Sequence, residues 1–360
     1  MKVGKTLNDL AAEITRRQAS KRDFIVPTPQ AVITLDKAES HVLSFGDNNI
    51  TINDLAHQQI ASHAEIPKPY YDRMRKEAPE LLANNVNTWF NKYPSNRMVR
   101  TLDGKARAFL SDKYRPLENE DLAEAVLPVL LDLDVTIMSC EITERRLYIK
   151  AIHNSIAKDI PTGKMMGDGT HTIFDTCCPA ITIGNSEVGQ GSLSVMTSIF
   201  TRGCTNLATF GDKSIRKSHV GGKHELVEGM FDMLSDDTRK LTDKALWAQV
   251  RDVVVGSFDE AKFKALAGRI AETAEQRIEG DVVKVIDLAS KRFTLNEGEK
   301  GSILKRLIEG GDLMRYGLFN AVTRTAEDIE DYDRATEFER IGGQIIELPK
   351  NEWQQLAMAA

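Results

Sequence analysis

The apolar residues of this chain change their spacing once, near residue 222, and that change limits the fold more than any single motif does. Before it, short β-type runs alternate with helical blocks. Residues 31–35, 41–45 and 50–52 read as strands, and Asp103-Gly104 between two such runs is the strongest short-range hairpin signal in the chain. Residues 135–152 read as two strands turning near Glu144-Arg145, and residues 181–200 as a strand pair interrupted at 184–191. Helices are expected over 7–18, 79–90 and 118–131; Asn53 or Asp54 caps another, and Pro67 opens the one after it. Residues 161–170 read as a glycine-rich loop.

Beyond residue 222 the pattern is helical. Ser257 with Glu260 and Thr294 with Glu297 fit capping boxes, and Gly310-Gly311 and Gly342-Gly343 are expected to punctuate helix ends. The sequence therefore predicts an α+β chain. A mixed first half (1–221) carries antiparallel hairpins and helices, and a second half (222–360) is all helical.

With 360 residues and 41% hydrophobic content, the chain can bury a large core. No apolar stretch approaches the ~20 residues that a membrane-spanning helix needs, so no membrane partner is expected. The first 20 residues lack the apolar core of a secretory signal. Cysteines at 140, 177, 178 and 204 show no disulfide spacing, and reduced thiols in a cytoplasm are the expectation.

Charge is unevenly spread. Residues 91–116 hold seven bases against two acids, and residues 201–224 hold five bases against one. Residues 325–347 hold eight acids against two arginines. Clustered bases with a distant acidic segment point to an anionic ligand. In the first stretch Arg100, Lys105, Arg107, Lys113 and Arg115 are candidates for phosphates, with Phe109 and Tyr114 as candidates for base stacking. Arg202, Arg216 and Lys217 form the second candidate rim. The competing reading is that these bases pair with carboxylates, Glu118 among them, inside the fold.

Other chemistries have weaker support. No phosphate-cradling G-x-x-x-x-G-K-[ST] loop, G-x-S-x-G nucleophile turn or H-E-x-x-H zinc motif is present. Cys204 with His219 and His224 offers thiolate and imidazole, but at no known zinc spacing, so neither a metal nor another cofactor is expected. Helix, break and helix over residues 55–75 match a helix-turn-helix in outline, which would put Lys68, Tyr70, Arg73 and Arg75 toward a groove. Plain helix packing is the alternative.

Residues 66–73 (IPKPYYDR), 84–89 (NNVNTW), 107–115 (RAFLSDKYR) with Asn119, 189–194 (GQGSLS) and 202–206 (RGCTN) resemble a family of phage- and plasmid-borne proteins known as a conserved domain without an assigned activity. Leu207 stands where related sequences often carry glycine. The resemblance implies a mobile-element setting in a bacterial cytoplasm. The order of elements is also loosely similar to phage single-strand annealing proteins of the Red-beta, RecT and ERF type, a likeness of fold only.

The leading expectation is a non-enzymatic protein that binds nucleic acid, single-stranded DNA in particular, and assembles as a homo-oligomer for annealing in recombination or replication. The acidic segment 327–339 would then be an autoinhibitory or partner-binding tail. Two alternatives stay open: an enzyme or metalloprotein using Cys204, His219 and His224, and a phage structural or host-interaction protein acting through protein contacts.

Overall fold

The computed structural model describes residues 1–165, 172–203, 205–211, 216–217 and 236–359, with 216–217 and 236–240 described in backbone only. Its first unit opens with α1 (Leu7–Ser20), capped reciprocally by Thr6 and Asp9. Then come β1 (Arg22–Pro27), β2 (Val32–Leu35), β3 (His41–Phe45) and β4 (Asn48–Ile52). Three helices follow: α2 (Asp54–His63), α3 (Lys68–Glu77) and α4 (Pro79–Lys92). The hairpin β5 (Asn96–Leu102) and β6 (Lys105–Ser111) closes the unit.

These strands form one sheet in the order β1-β5-β6-β4-β3-β2, in which only β4 and β6 run parallel. Asp103 and Gly104, at φ 52° and 74°, turn the hairpin. Both torsions are positive, as a tight two-residue turn requires, which is why Asp-Gly marks it in the sequence. Helices α2 to α4 cover one face, burying Ile60, Tyr71, Leu82, Val86 and Phe90 against Ile33, Leu43, Ile52, Val99 and Phe109. Asn53 caps α2 and Pro67 starts α3, as expected. Lys68 pairs with Asp72 and Arg73 with Glu77 along the exposed side of α3, Arg75 pairs with Asp54 of α2, and Tyr70 is exposed.

The second unit starts with α5 (Asn119–Asp132). Its strands are β7 (Val135–Ile142), β8 (Leu147–His153), β9 (Lys158–Met165), β10 (Thr172–Asn185), β11 (Leu193–Thr201), β12 (Asn206–Thr209) and β13 (Arg216–Lys217). They build an antiparallel sheet in the order β12-β11-β10-β8-β7, with β9 also on β10 and β13 also on β11. Residues 161–165, expected as a loop, extend β9; residues 166–171 lie outside the described residues.

Helices follow: α6 (Asp236–Gly256), α7 (Glu260–Thr273), α8 (Val282–Phe293), α9 (Glu297–Gly310), α10 (Arg315–Thr325), α11 (Tyr332–Glu347) and α12 (Lys350–Ala357). The chain is α+β with an all-helical C-terminal half, as its sequence predicts. The helices share cores with strands rather than forming a separate one. Val250 and Val254 of α6 join Leu10, Leu122, Val126, Ile149, Ile183 and Val195. Phe263, Ile286, Leu307, Phe319 and Ile345 join Ile160, Cys177, Ile199 and Ala208.

Three local expectations are corrected. The N-caps of α7 and α9 are Asp259 and Asn296, each two residues beyond the serine or threonine expected, because Asp and Asn accept the N3 N–H at those points. Gly311 ends α9 at φ 65°, but Gly342-Gly343 lie inside α11, where close packing and not a helix end demands them. The acidic segment is no free tail: it leads into and forms α11, and Asp328 pairs with Arg306, Glu339 with Lys150, and Glu347 with Arg269.

Candidate functional site

The hairpin that carries most of the basic candidates is central in its sheet, between β1 and β4, and not at a rim. One face packs on helices; the loop from Ser186 to Gly191, between β10 and β11, reaches the other, where Val188 sits with Ala108, Leu110 and Tyr114. This placement decides where each side chain goes.

Arg100 is fully buried. Its Nε donates to Asp23 Oδ1 at 2.9 Å, Nη1 to the Glu187 carbonyl oxygen at 2.8 Å and Nη2 to Glu118 Oε1 at 2.6 Å. Arg107 is 5% exposed. Arg100 pairs with Ala108 and Thr101 with Ala106, so Arg107 is the extra residue of a β-bulge. A bulge re-aims the side chain it carries, and here Arg107 Nη1 reaches Glu187 Oε2 at 2.9 Å. The other Glu187 oxygen accepts the Asn119 N–H at 2.9 Å. Lys21 donates to Glu118 Oε2 at 2.6 Å and stands 3.9 Å from Glu187.

Two carboxylates in one buried cluster cannot be equally easy to ionise. Burial works against the charge on Glu187, but Arg107 and the Asn119 N–H outweigh it and hold the carboxyl down at about 2. Glu118 is pushed up by burial and by Glu187, against the pull of Arg100.

Phe109 stacks on Phe90 with ring centroids 5.5 Å apart in the helix-covered core. The Tyr114 hydroxyl donates to the Ser186 carbonyl at 3.0 Å and accepts the Gly189 N–H at 3.2 Å, and burial raises its pKa. Arg115 pairs with Asp243 of α6. Arg100, Arg107, Phe109 and Tyr114 therefore sit inside the fold, not along the exposed groove the sequence suggested, because central strands and the docked loop cover them. Lys105 and Lys113 are exposed, but at opposite ends of β6. Arg202 is exposed, with Nε donating to Cys178 Sγ at 3.0 Å and Nη2 to the Asn154 carbonyl at 2.8 Å. Arg216 and Lys217 pair in backbone with Ser194 and Leu193. Cys204, His219 and His224 lie outside the described residues. Among the described residues no cluster of histidine, cysteine or carboxylate is arranged to hold a metal.

Two features escaped the sequence reading. At the end of the first sheet where β5 begins and β6 ends, Trp89 and Tyr93 stack at 5.9 Å with planes 9° apart. Lys92 lies 5.3 Å from one ring centroid and 5.6 Å from the other. Tyr93 is 61% exposed. The strand register puts Arg97 opposite Ser111, so Lys113 is at this same end. The four-residue helical spacing of Trp89 and Tyr93 is the signal that would have found the stack. The second feature is a cleft between the units, walled by Arg17, Arg107, Asn119, Arg145, Arg146 and Glu187. Its residues come from five separate segments, so no local pattern marks it.

Comparison with family models, with curated proteins and with solved structures finds no match to this chain.

Proposed function

We propose that this chain binds single-stranded nucleic acid, in the mobile-element setting that its sequence resemblance implies, through the Trp89–Lys92–Tyr93 end of the first sheet. The observation that supports this reading is the aromatic pair, Tyr93 exposed and Trp89 half-buried, with an ammonium over both rings, at the same end of the sheet as Lys113. Aromatic faces accept any base by stacking, and nearby bases hold the backbone. The basic hairpin itself gives structural support: Arg100 is held by Asp23 and Glu118, and Arg107 reaches Glu187 through Nη1.

The test is fluorescence anisotropy of the full chain with labelled single-stranded and duplex oligonucleotides over a range of salt. Tyr93→Ala weakens single-strand binding by ~1–3 kcal/mol with little change of salt slope, because stacking is lost. Lys92→Ala and Lys113→Ala each flatten the slope by about 0.7, because a phosphate contact is lost. No binding of either nucleic acid by the wild-type chain at low salt removes the proposal.

A further inference from the structure

The cleft between the two units brings four arginines together: Arg17 from α1, Arg107 from β6, and Arg145 and Arg146 from the turn between β7 and β8. Glu144 and Glu187 are the acids of the same wall, so bases outnumber acids there.

Arg107 is the informative member. Its Nη1 is taken by Glu187, but its Nε and Nη2 are buried and have no hydrogen-bond partner. These two nitrogens make up one edge of the planar guanidinium, the edge that grips a carboxylate or phosphate with two parallel bonds. Buried donors are nearly always satisfied in folded chains, so an unsatisfied charged pair of them calls for an acceptor. The chain's nearest acid does not supply it: Glu187 has one oxygen on Arg107 Nη1 and the other on the Asn119 N–H.

The other arginines are placed to help rather than compete. Arg17 is held in place by Glu13 and by the carbonyls of Ile142 and Thr143, one bond from each of its three nitrogens, and adds its charge to the wall. Arg146 is fixed by one bond from Nε to the Gln190 carbonyl at 2.7 Å. Arg145 is exposed at the mouth.

We propose that this cleft is a phosphate-binding site in which the Nε–Nη2 edge of Arg107 grips the phosphate oxygens and Arg145 and Arg146 close over the charge. The phosphate belongs either to a small ligand, free phosphate or a phosphomonoester, or to a nucleic-acid backbone. The site uses none of the residues of the Trp89–Tyr93 surface and stands whether or not that surface binds a strand.

Isothermal titration of the full chain at constant ionic strength tests it, with three probes: inorganic phosphate, a nucleoside 5′-monophosphate, and an oligonucleotide with 5′-hydroxyl ends. Saturable binding of one phosphate group per chain is expected. Arg107→Lys keeps the charge but loses the two-point grip and should weaken binding by about tenfold or more. Arg145→Glu reverses a charge at the exposed mouth, cannot disturb the core, and should weaken it similarly; it decides the matter if Arg107→Lys fails to fold. Lys105→Ala, at an exposed base that lines neither this cleft nor the Trp89–Tyr93 surface, should leave the titration with inorganic phosphate unchanged. Binding of the first two probes assigns the site to a small ligand. Binding of the oligonucleotide alone, weakened by Arg145→Glu by the same factor in the wild-type and the Tyr93→Ala background, assigns it to a backbone phosphate. No saturable binding of any probe, or an unchanged isotherm in Arg145→Glu, overturns the proposal.

Discussion

Arg107 Nη1 donates to Glu187 Oε2 at 2.9 Å, and this contact ties the bulged strand of the first sheet to the loop that joins β10 and β11 of the second. Both side chains are buried, and the same loop gives its Glu187 carbonyl to Arg100 and its Ser186 carbonyl to Tyr114. The junction between the units is thus ionic at its centre. A buried ion pair owes its charge to its partner, so removing one side is costly even where the pair itself adds little.

Glu187→Gln should therefore destabilise the chain by ~3–5 kcal/mol, because Arg107 keeps a buried charge without its counter-ion. Replacing both, as Arg107→Met with Glu187→Leu, should cost less than the two single changes added together. Urea denaturation of the four proteins gives the coupling directly. Additive costs would show that the pair does not act as a unit.

The same carboxylate sets an acid limit. The Glu187 carboxyl lies at about 2 in the fold against an ordinary value of 4.5. Its stabilising contribution is complete above 4.5 and drains away as pH falls toward 2, because the unfolded chain takes up the proton first. In Glu187→Gln that part of the acid transition should be missing, leaving a shallower loss of stability between those pH values.

Histidines act in a higher window. Burial lowers His57 to about 3 and His63 to about 4 from 6.5, and lowers His41 as well. His57 Nδ1 lies 2.8 Å from the Tyr71 hydroxyl in the helix-covered core. A histidine held neutral contributes fully above 6.5 and progressively less as pH falls, since only the unfolded chain is protonated there. Stability should fall from pH 6.5 downward, by about 1.4 kcal/mol per pH unit for each group still neutral in the fold. His57→Asn should have a flatter profile than wild type between 6.5 and 3. Parallel profiles would show that His57 does not carry the effect.

Lys150 and Glu339 fasten α11 to the second sheet. The ammonium lies 2.7 Å from the carboxylate and 3.2 Å from the Thr336 hydroxyl, with both charged side chains buried. Burial lowers the Lys150 pKa against the pull of Glu339. Lys150→Met alone should cost ~3–5 kcal/mol, and Lys150→Met with Glu339→Leu should recover most of it, because no charge is left buried. Chemical denaturation monitored by circular dichroism reads both. Failure of the double variant to recover would mean that the site needs charge for its geometry.

What was legible in the sequence was local. Asp103-Gly104 announces its hairpin because the backbone torsions of a tight turn choose those residues. Asn53 and Pro67 announce helix starts because capping is decided within a turn. The candidate site was not legible for the opposite reason. Arg107 and Glu187 are 80 residues apart, and the bulge that aims one at the other exists only once β5 and β6 are paired. Counted by composition, the acids of 325–347 stand nearly unopposed, and 327–339 reads as an autoinhibitory or partner-binding tail; in the fold Lys150, Arg269 and Arg306 answer three of those charges from distant elements.

Gly342-Gly343 show how far the same residue type depends on contact. A Cβ built on Gly343 would stand 2.1 Å from the Thr209 carbonyl oxygen, and one on Gly342 2.2 Å from Thr323 Cγ2. The pair lets α11 lie directly on β12 and α10. In Gly343→Ala the obstacle is strand backbone, which cannot rotate away, so α11 has to lift from the sheet. A loss of ~1–3 kcal/mol follows from overpacking of this kind, although alanine is the better helix former. Gly301 in α9 is the control, since a Cβ there meets nothing within 4 Å. Gly301→Ala should stabilise the chain by ~0.5–1 kcal/mol through helix propensity alone. Thermal and urea unfolding of the two variants should move in opposite directions. If Gly343→Ala were as stable as Gly301→Ala, the seating of α11 on β12 would be looser than the contact implies.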